Sequence, residues 1–596
     1  MGGSFATGTS PAAAVSAPLA ALTRREDFSR AQEHHRLGRV RQAERLLLRL
    51  LEEDQLHAPA LHLLGLISAE GGNAAAGAAL IGRAIQIAGP SADWCVHLST
   101  ILEHLNNLPG ATAALRQALE VKPADADIAF RLANLLTRCG HLEEAAERYR
   151  RAVELRPAFA ESWFNLGVVL SMRNENGEAA HAYAKAIEYK DDYAEAHNNL
   201  GILLHADGYL ELASECYEKA VEIRPAYLDA RYNLGLSHQH QGRIEQAEEV
   251  YRQVIAQNSD HDDAHNNLGN VLLAQRRIDE ARLSYRRSIS ISPDKAEAHW
   301  NLGVAELLAG NFRDGWREYE WRLRESRRYT SIPVWAGEPL PGRRILVWAE
   351  QGLGDSIQMI RFARQLAEAG AHVVVECQRP LERLFENLPG VGEVVVRGAK
   401  IPPVDCQIAM MSLPGALAID AAALPGPMPY VTADRSLARQ WRNRLSDYAA
   451  PRIGLAWAGN SHHANDRNRS IDPAMFSRLA VQQTAMGMSF FTVQPDAQAP
   501  EGVYSLGEHI ECFADTAALM SELDLIITVD TAVAHLAGAM DRPVWTLLPY
   551  VPDWRWMLEG DGSPWYPSMR LFRQRSRGDW ADVFERLAMA LGQGLS

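Results

Sequence analysis

The sequence predicts an α-helical solenoid followed by an α/β domain made of two doubly wound halves. Three observations lead there. A Leu-Gly pair recurs at a 34-residue spacing through the first half of the 596 residues. After Arg328 that helical rhythm gives way to short apolar runs alternating with amphipathic ones. A second alternating set starts at Pro451, beyond a polar stretch at 434–450. Such an α/β alternation builds mostly parallel sheets covered on both faces.

The repeats come first. Leu166-Gly167, Leu200-Gly201, Leu234-Gly235, Leu268-Gly269 and Leu302-Gly303 are 34 residues apart, and Leu64-Gly65 lies three periods before the first of them. Leu98 and Leu132 fill the gap, with Ser99 and Ala133 in place of glycine. Ala145, Ala179, Ala213, Ala247 and Ala281 keep the same frame, each followed four residues later by Tyr149, Tyr183, Tyr217, Tyr251 or Tyr285. Pro123, Pro157, Pro225 and Pro293 sit at unit ends, where a residue that cannot continue a helix separates neighbours. This pattern resembles the tetratricopeptide repeat. About nine units are expected over 23–328, the first degenerate and the last altered at Gly315, Trp316 and Tyr319. Most of these residues are packing residues, because each unit buries its faces against its neighbours.

The residues just before the Leu-Gly pairs are Asn165, Asn199, Asn233, Asn267 and Asn301. A carboxamide offers a donor and an acceptor, which suits the backbone of an extended peptide. With units about 10 Å apart and about 3.3 Å per extended residue, a ladder of this kind clamps roughly every third peptide residue. The ladder resembles that of the protein O-GlcNAc transferases. The same asparagines could instead satisfy neighbouring turns, so peptide clamping and a structural role both stand.

The α/β part begins after a linker at 329–343. Strands are expected at Arg344–Ala349, His372–Cys377, Glu393–Arg397 and Gln407–Met411, with helices at Asp355–Ala369 and Pro380–Asn387. These make a first half over 344–433. A connector at 434–450 leads to a second half over 451–596. Its strands are expected at Arg452–Trp457, Ser489–Val493, Leu523–Thr528 and Val544–Leu548, and its helices at Pro473–Ala480, Thr516–Ser521 and Ala532–Ala539. Two such Rossmann-like halves define a cleft at the carboxyl ends of their strands. The arrangement resembles a GT-B glycosyltransferase fold with a shortened first half.

Three segments at those strand ends carry candidate chemistry. In Glu350-Gln351-Gly352-Leu353-Gly354-Asp355 the glycines permit a tight turn, but the dinucleotide fingerprint is incomplete. The segment resembles the bacterial heptosyltransferases, whose first strand ends in a Gly-Asp pair. That resemblance implies Asp355 as general base, with Gly354 beside the donor; an early-turn carboxylate favoured by the helix dipole is the simpler alternative. Asp530-Thr531-Ala532-Val533-Ala534-His535 opens a helix, and a helix start with a hydroxyl suits a diphosphate. The heptosyltransferases have a similar D-T-G-x-x-H element, which implies donor contacts for Asp530, Thr531, Ala532 and His535, with Ala532 standing where that family has glycine. A cap and a packed histidine are the alternative. Asn460 ends a strand, and the polar loop after it carries Arg467 and Arg469, whose charge could meet a departing phosphate without a metal. Trp554, Trp556, Trp565 and Tyr566 are expected to pack.

Composition narrows the classes. With 60 Lys+Arg against 74 Asp+Glu, a net charge of −14 gives no drive toward nucleic acid. The six cysteines show no metal or redox spacing and fit a reducing cytoplasm. No apolar run reaches a membrane-spanning length, and residues 1–22, rich in Ala, Gly, Ser and Pro, read as a disordered tail. No DxD pair stands where a metal would bind, so neither a metal nor a cofactor is expected, the nucleotide-sugar being the donor substrate.

As a whole the chain resembles bacterial repeat-linked glycosyltransferases, flagellin glycosyltransferases among them. This implies a cytoplasmic, metal-independent, inverting protein O-glycosyltransferase whose repeats hold a protein acceptor, flagellin foremost. Transfer to a cell-surface saccharide, as the heptosyltransferases perform, and a non-catalytic repeat scaffold are the competing readings.

Overall fold

The computed structural model describes residues 11–594, apart from 325, 327, 425, 461–464, 496 and 497. They form two compact units, one ending at Gln241 and the other beginning at Gly242.

The first unit is a run of antiparallel helix pairs such as Ala160–Met172 with Asn176–Tyr189, and Ala194–Ala206 with Leu210–Ile223. The repeat signature has a direct steric cause. A Cβ on Gly167 would lie 2.6 Å from the Tyr183 ring, and one on Gly201 2.7 Å from Tyr217. In these two pairs the glycine lets the second helix lay a buried tyrosine across the first. Gly201→Ala is therefore expected to lower the stability of this unit by about 1–3 kcal/mol in a denaturant melt. Gly177, whose added Cβ would meet nothing within 4 Å, should tolerate alanine and serves as the control.

Two further contacts repeat with the units. A side chain early in three of the first helices donates to the carbonyl six residues before it: Trp163 to Pro157 at 2.8 Å, His197 to Asp191 at 3.2 Å and Arg231 to Pro225 at 2.7 Å. A basic residue at the end of three of the second helices pairs with an acid of its own repeat's first helix: Lys122–Asp93 at 3.0 Å, Arg156–Asp127 at 2.5 Å and Arg224–Glu195 at 2.6 Å. These pairs are exposed and contribute at most about 1 kcal/mol each. The tail expectation needs correction. A helix runs from Pro11 to Arg36, so helix begins inside the 1–22 segment, while residues 1–10 lie outside the described ones. The alanine-rich stretch after Pro11 has the intrinsic propensity to extend that helix.

The second unit holds the last repeat helices, from Ile244–Gln257 to Phe312–Tyr319, and two parallel sheets. The first sheet has strands β1 (Arg344–Trp348), β2 (His372–Cys377), β3 (Glu393–Val396) and β4 (Cys406–Ala409) in the order β3-β2-β1-β4. The second has β5 (Arg452–Ala456), β6 (Ser489–Thr492), β7 (Leu525–Val529), β8 (Val544–Leu548) and β9 (Met569–Arg573) in the order β6-β5-β7-β8-β9. Both orders reverse direction beside the first strand of the half, which opens a crevice at its carboxyl end. This is the GT-B arrangement.

One hydrophobic core runs through this unit. It joins Leu307, Phe312, Trp316 and Tyr319 of the last repeat to Val347 and Ile357 of the first half and Leu536, Trp554 and Trp565 of the second. Trp316 meets Trp554 edge to face at 5.1 Å. The segment expected as a linker is an ordered strap. Val334 bridges Gln407, with Trp335 N–H donating to the Gln407 carbonyl and Gln407 N–H to that of Pro333, both at 2.8 Å. The strap covers the β4 edge, which would otherwise expose unpaired backbone groups.

Other expectations shift locally. The helix expected over Asp355–Ala369 starts at Leu353, tightens at Ile360–Phe362 and resumes at Ala363–Glu368. The tightening falls where Arg361 reaches the Tyr430 hydroxyl and the Trp565 carbonyl. The connector contains a helix, Arg435–Arg444, capped by Asp434. The loop expected after Asn460 contains the single turn Asp466–Arg469. β9 and the final helix Trp580–Gly592 were not expected. β9 is an edge strand with an exposed Arg570, so its sequence reads as loop.

Candidate functional site

The site lies where the carboxyl ends of the two sheets approach each other. After β1, Gly352 caps the helix Leu353–Met359, and Asp355 completes a capping box by accepting from the Gly352 N–H at 2.7 Å. The other Asp355 oxygen pairs with Arg555, from the loop after β8. Arg555 is 5% exposed and also bonds Asp553 at 2.7 Å and Gln358 at 2.7 Å, with its guanidinium 4.3 Å over Trp554. Burial opposes its charge, and the carboxylates of Asp553 and Asp355 more than restore it. One guanidinium thus ties the two halves together at the strand ends.

In the second half β7 ends at Val529, and Thr531 caps the helix Ala532–Ala539 in extended conformation. The Thr531 hydroxyl lies 3.2 Å from that of Thr528. Arg469 reaches across and donates to the Asp530 carbonyl at 3.0 Å, while its Nε bonds Asp466 at 3.3 Å. Its path explains Gly459, because a Cβ there would lie 2.4 Å from the guanidinium. Burial, and then the charge of Asp553, push the Asp530 carboxyl up to about 6, against the pull of Trp556, Arg555 and Arg469.

Asp355, Asp530, Thr531 and Arg469 are thus brought to the strand ends around Arg555. Three other expected donor residues are placed in packing. A Cβ on Gly354 would stand 2.7 Å from the His535 ring and 3.4 Å from the Ala532 Cα. These three residues fill the contact between the halves, where close approach needs glycine. His535 is buried, bonds the Tyr566 hydroxyl at 2.9 Å and stacks on Trp556 at 5.1 Å. Burial, Arg555 and Arg361 hold it well below the ordinary histidine range, so it is neutral. Arg467 is exposed, its guanidinium 3.6 Å from the Cβ position of Gly242 on the repeat side. Asn460 is exposed, and residues 461–464 after it lie outside the described ones.

Sequence reasoning missed Asp553, Arg555, Gln351 and Tyr319. Tyr319 continues the 34-residue tyrosine ladder, yet its hydroxyl receives a hydrogen bond from Gln351 at 2.8 Å, next to Gly352. The last repeat therefore reaches the edge of the site. Asp553 and Arg555 follow a strand end, the position that collects ligand groups in such sheets, and that was the available signal. The tryptophans around them suggested packing, which they also do: Trp554, Trp556 and Trp565 are buried.

The asparagine ladder is knitted from unit to unit. Asn165 donates to Asn134, Asn233 to Asn198 and Asn301 to Asn266, each at 3.0 Å. Asn199 receives from Asn198 at 3.2 Å, and Asn267, almost fully buried, receives from Asn270 at 3.4 Å. Three of the five asparagines thus use one N–H between repeats, and the other two accept from their own helix. Among the described residues one group has metal-ligand spacing, His261, Asp262 and Asp263, and the Lys295 ammonium pairs with both of its acids. No described helix is long and apolar enough to cross a membrane.

Comparison with known proteins agrees with this architecture. Residues 28–93 and 232–296 match one tetratricopeptide repeat family, and 133–172 and 203–242 match a second. Residues 512–577, which include Asp530, Asp553 and Arg555, match glycosyltransferase family 9 (heptosyltransferase). The chain joins tetratricopeptide repeats to a glycosyltransferase family 9 domain. Protein FlbA of Caulobacter vibrioides is 26% identical over 323 residues, which is 48% of this chain and 53% of that protein. The chain thus spans about half the length of this curated relative. Among solved structures, YrrB, described as a repeat protein with an unusual peptide-binding site, is 26% identical over 31% of this chain and 95% of its own, with a TM-score of 0.30. Pseudomonas aeruginosa PilF is 23% identical over 35% of this chain and 95% of its own, with a TM-score of 0.31.

Proposed function

We propose that this chain is a protein O-glycosyltransferase that moves a sugar from a nucleotide-sugar to a Ser or Thr of a protein held by the repeats, flagellin being the acceptor to test first. The observation that carries the reading is the convergence of Asp355, from the first half, with Asp530, Thr531 and Arg469, from a family 9 second half, in a unit whose last repeat supplies Tyr319 to the same place.

The acceptor oxygen attacks the anomeric carbon as the bond from that carbon to the phosphate oxygen breaks. Asp355 takes the hydroxyl proton. An ionised carboxylate has about four lone-pair positions, and Gly352 and Arg555 use two of them. Attack from the face opposite the leaving group inverts the anomeric centre. Arg469 and the amides at the Thr531 helix start receive the departing phosphate, so that charge is met by protein groups rather than a metal. A donor of this kind is supplied in the cytoplasm, where the reaction is placed. Remaining carboxamide atoms of Asn165, Asn199, Asn233, Asn267 and Asn301 serve as acceptor contacts in this reading. Intact-mass spectrometry of flagellin from cells carrying the wild-type chain or Asp355→Ala tests it. A fixed sugar mass present with the first and lost with the second is expected. Unchanged flagellin in both favours the saccharide or scaffold reading, and full modification with Asp355→Ala removes the base assignment.

A further inference from the structure

One residue breaks the repeat pattern in its backbone. Every unit turns from its first helix to its second through a residue in the left-handed region, and these residues are spaced 34 apart. From position 38 to position 208 the residue is glycine or asparagine, and it is glycine again at Gly242 and Gly310, with φ 76° and 84°. Between those two stands Arg276 at φ 62°, joining the helices Asp262–Ala274 and Ile278–Ile291. A long side chain is strained there because its Cβ crowds the backbone, and such strain persists where contacts over-determine it.

The contacts of this turn run in two directions. Gln275 and Arg277 are tied to the repeats, both bonding Glu248 at 2.7 Å, and Arg277 also bonds Glu280 at 2.7 Å. Arg276 between them reaches the other way. Its guanidinium donates to the Leu558 carbonyl and lies 5.2 Å over the Tyr550 ring. Tyr550 and Leu558 are the two ends of the loop after β8 that carries Asp553 and Arg555. The second half grips the same turn in return, with Arg577 donating to the Ala274 carbonyl at 2.6 Å. Arg573 already fastens this loop to its own half through the Met557 and Trp556 carbonyls, at 2.8 and 2.5 Å. What Arg276 adds is a tie from the loop to the repeats.

Resting on the transferase reading above, we infer that Arg276 is a positioning residue for sugar transfer: from within the repeats it sets the loop that presents Arg555 to Asp355. The path is continuous. Arg276 clasps the loop at Tyr550 and Leu558, Arg555 bonds Asp553 within the loop at 2.7 Å, and Arg555 then bonds Gln358 at 2.7 Å and Asp355 in the first half. Arg276 touches none of the reacting groups itself. Misplacing a catalytic group by about 1 Å costs about 100-fold in rate, so the tie matters more to the reaction than to the fold. Glycine at 276 relieves the backbone and removes the tie, and the two effects therefore separate. A residue kept only for stability behaves in the opposite way, with a lower melting temperature and an unchanged rate per folded molecule.

The test compares the full wild-type chain with Arg276→Gly. Hydrogen–deuterium exchange reads the tie without any substrate. In Arg276→Gly the amides of 549–560 should lose protection while the helices Asp262–Ala274 and Ile278–Ile291 keep theirs, and the melting temperature should not fall. Transfer is read as the mass gained by flagellin made in cells lacking this chain, at varied concentration, with a fixed small-molecule extract of the source cells as donor. The kcat of Arg276→Gly should fall about 10- to 100-fold with little change in the KM for flagellin. Unchanged protection of the loop overturns the inference. So does a freed loop with wild-type kcat, or a kcat that falls only as far as the folded fraction falls. No mass gain with the wild-type chain overturns the transferase reading, and the positioning role goes with it.

Discussion

A fragment beginning at residue 329 is expected not to fold, whereas one beginning at Gly242 is expected to. The reason is the core shared by the last repeat and both α/β halves. Removing Leu307, Phe312, Trp316 and Tyr319 uncovers apolar surface that four large side chains had kept dry. At about 1.5–3 kcal/mol each, that is roughly 6–12 kcal/mol, as much as the whole stability of an ordinary domain, about 5–15 kcal/mol. The same cut removes partners of buried charges. Glu376 is fully buried and loses Arg328, which bonds it at 2.8 and 2.6 Å and lies just before the cut, while it keeps Arg397 at 3.4 Å and the Tyr329 hydroxyl. Glu350, whose carboxyl burial pushes upward, loses Arg322 at 2.8 Å. Leaving a buried charge without its cation, as at Glu350, costs about 3–5 kcal/mol. Soluble expression, near-ultraviolet circular dichroism and a cooperative thermal transition should be present for 242–596 and absent for 329–596. A cooperative transition in the shorter fragment would mean that the shared core is not needed for folding.

The second large effect is expected at Arg555. Arg555→Met leaves Asp355 and Asp553, both partly exposed, without their common cation, a loss of about 1.5–3 kcal/mol. Because the same guanidinium orients the proposed base, sugar transfer should fall by at least about 100-fold. Combining Arg555→Met with Asp355→Asn removes the stranded charge and should recover part of the stability while transfer stays abolished. Denaturant melts and transfer assays on the single and double variants separate the two roles. An active Arg555→Met chain would show that the ion pair serves only to hold the halves together.

Much of this was legible in the sequence because it is periodic or local. A 34-residue repeat of Leu-Gly and Tyr identifies stacked helix pairs, since a small residue, usually glycine and at Ala133 alanine, leaves room for the tyrosine that follows sixteen residues later. Eight of the nine described strands read as short, mainly apolar runs and were expected, and the edge strand β9, which carries two arginines, was not. The helix start at Asp530 to His535 and the turn at Gly352 to Asp355 were legible for the same reason, since capping chemistry is written within a few residues.

The partners of those residues were decided only in three dimensions. Asp355 and Arg555 are 200 residues apart, and no spacing links them. Gly354 and His535 looked like ligand groups, and the structure packs them against each other, because the two halves meet where a helix from each crosses. The sequence left the asparagine ladder open between peptide clamping and a structural role, and Asn165, Asn233 and Asn301 bond to asparagines 31 or 35 residues away, one repeat earlier. The sequence by itself determined the helical repeats, the two parallel sheets and the strand ends at which chemistry collects, because those depend on neighbours in the chain. Which carboxylate is paired with Arg555 and which repeat completes the α/β core were decided by tertiary structure, because charge and burial depend on neighbours in space.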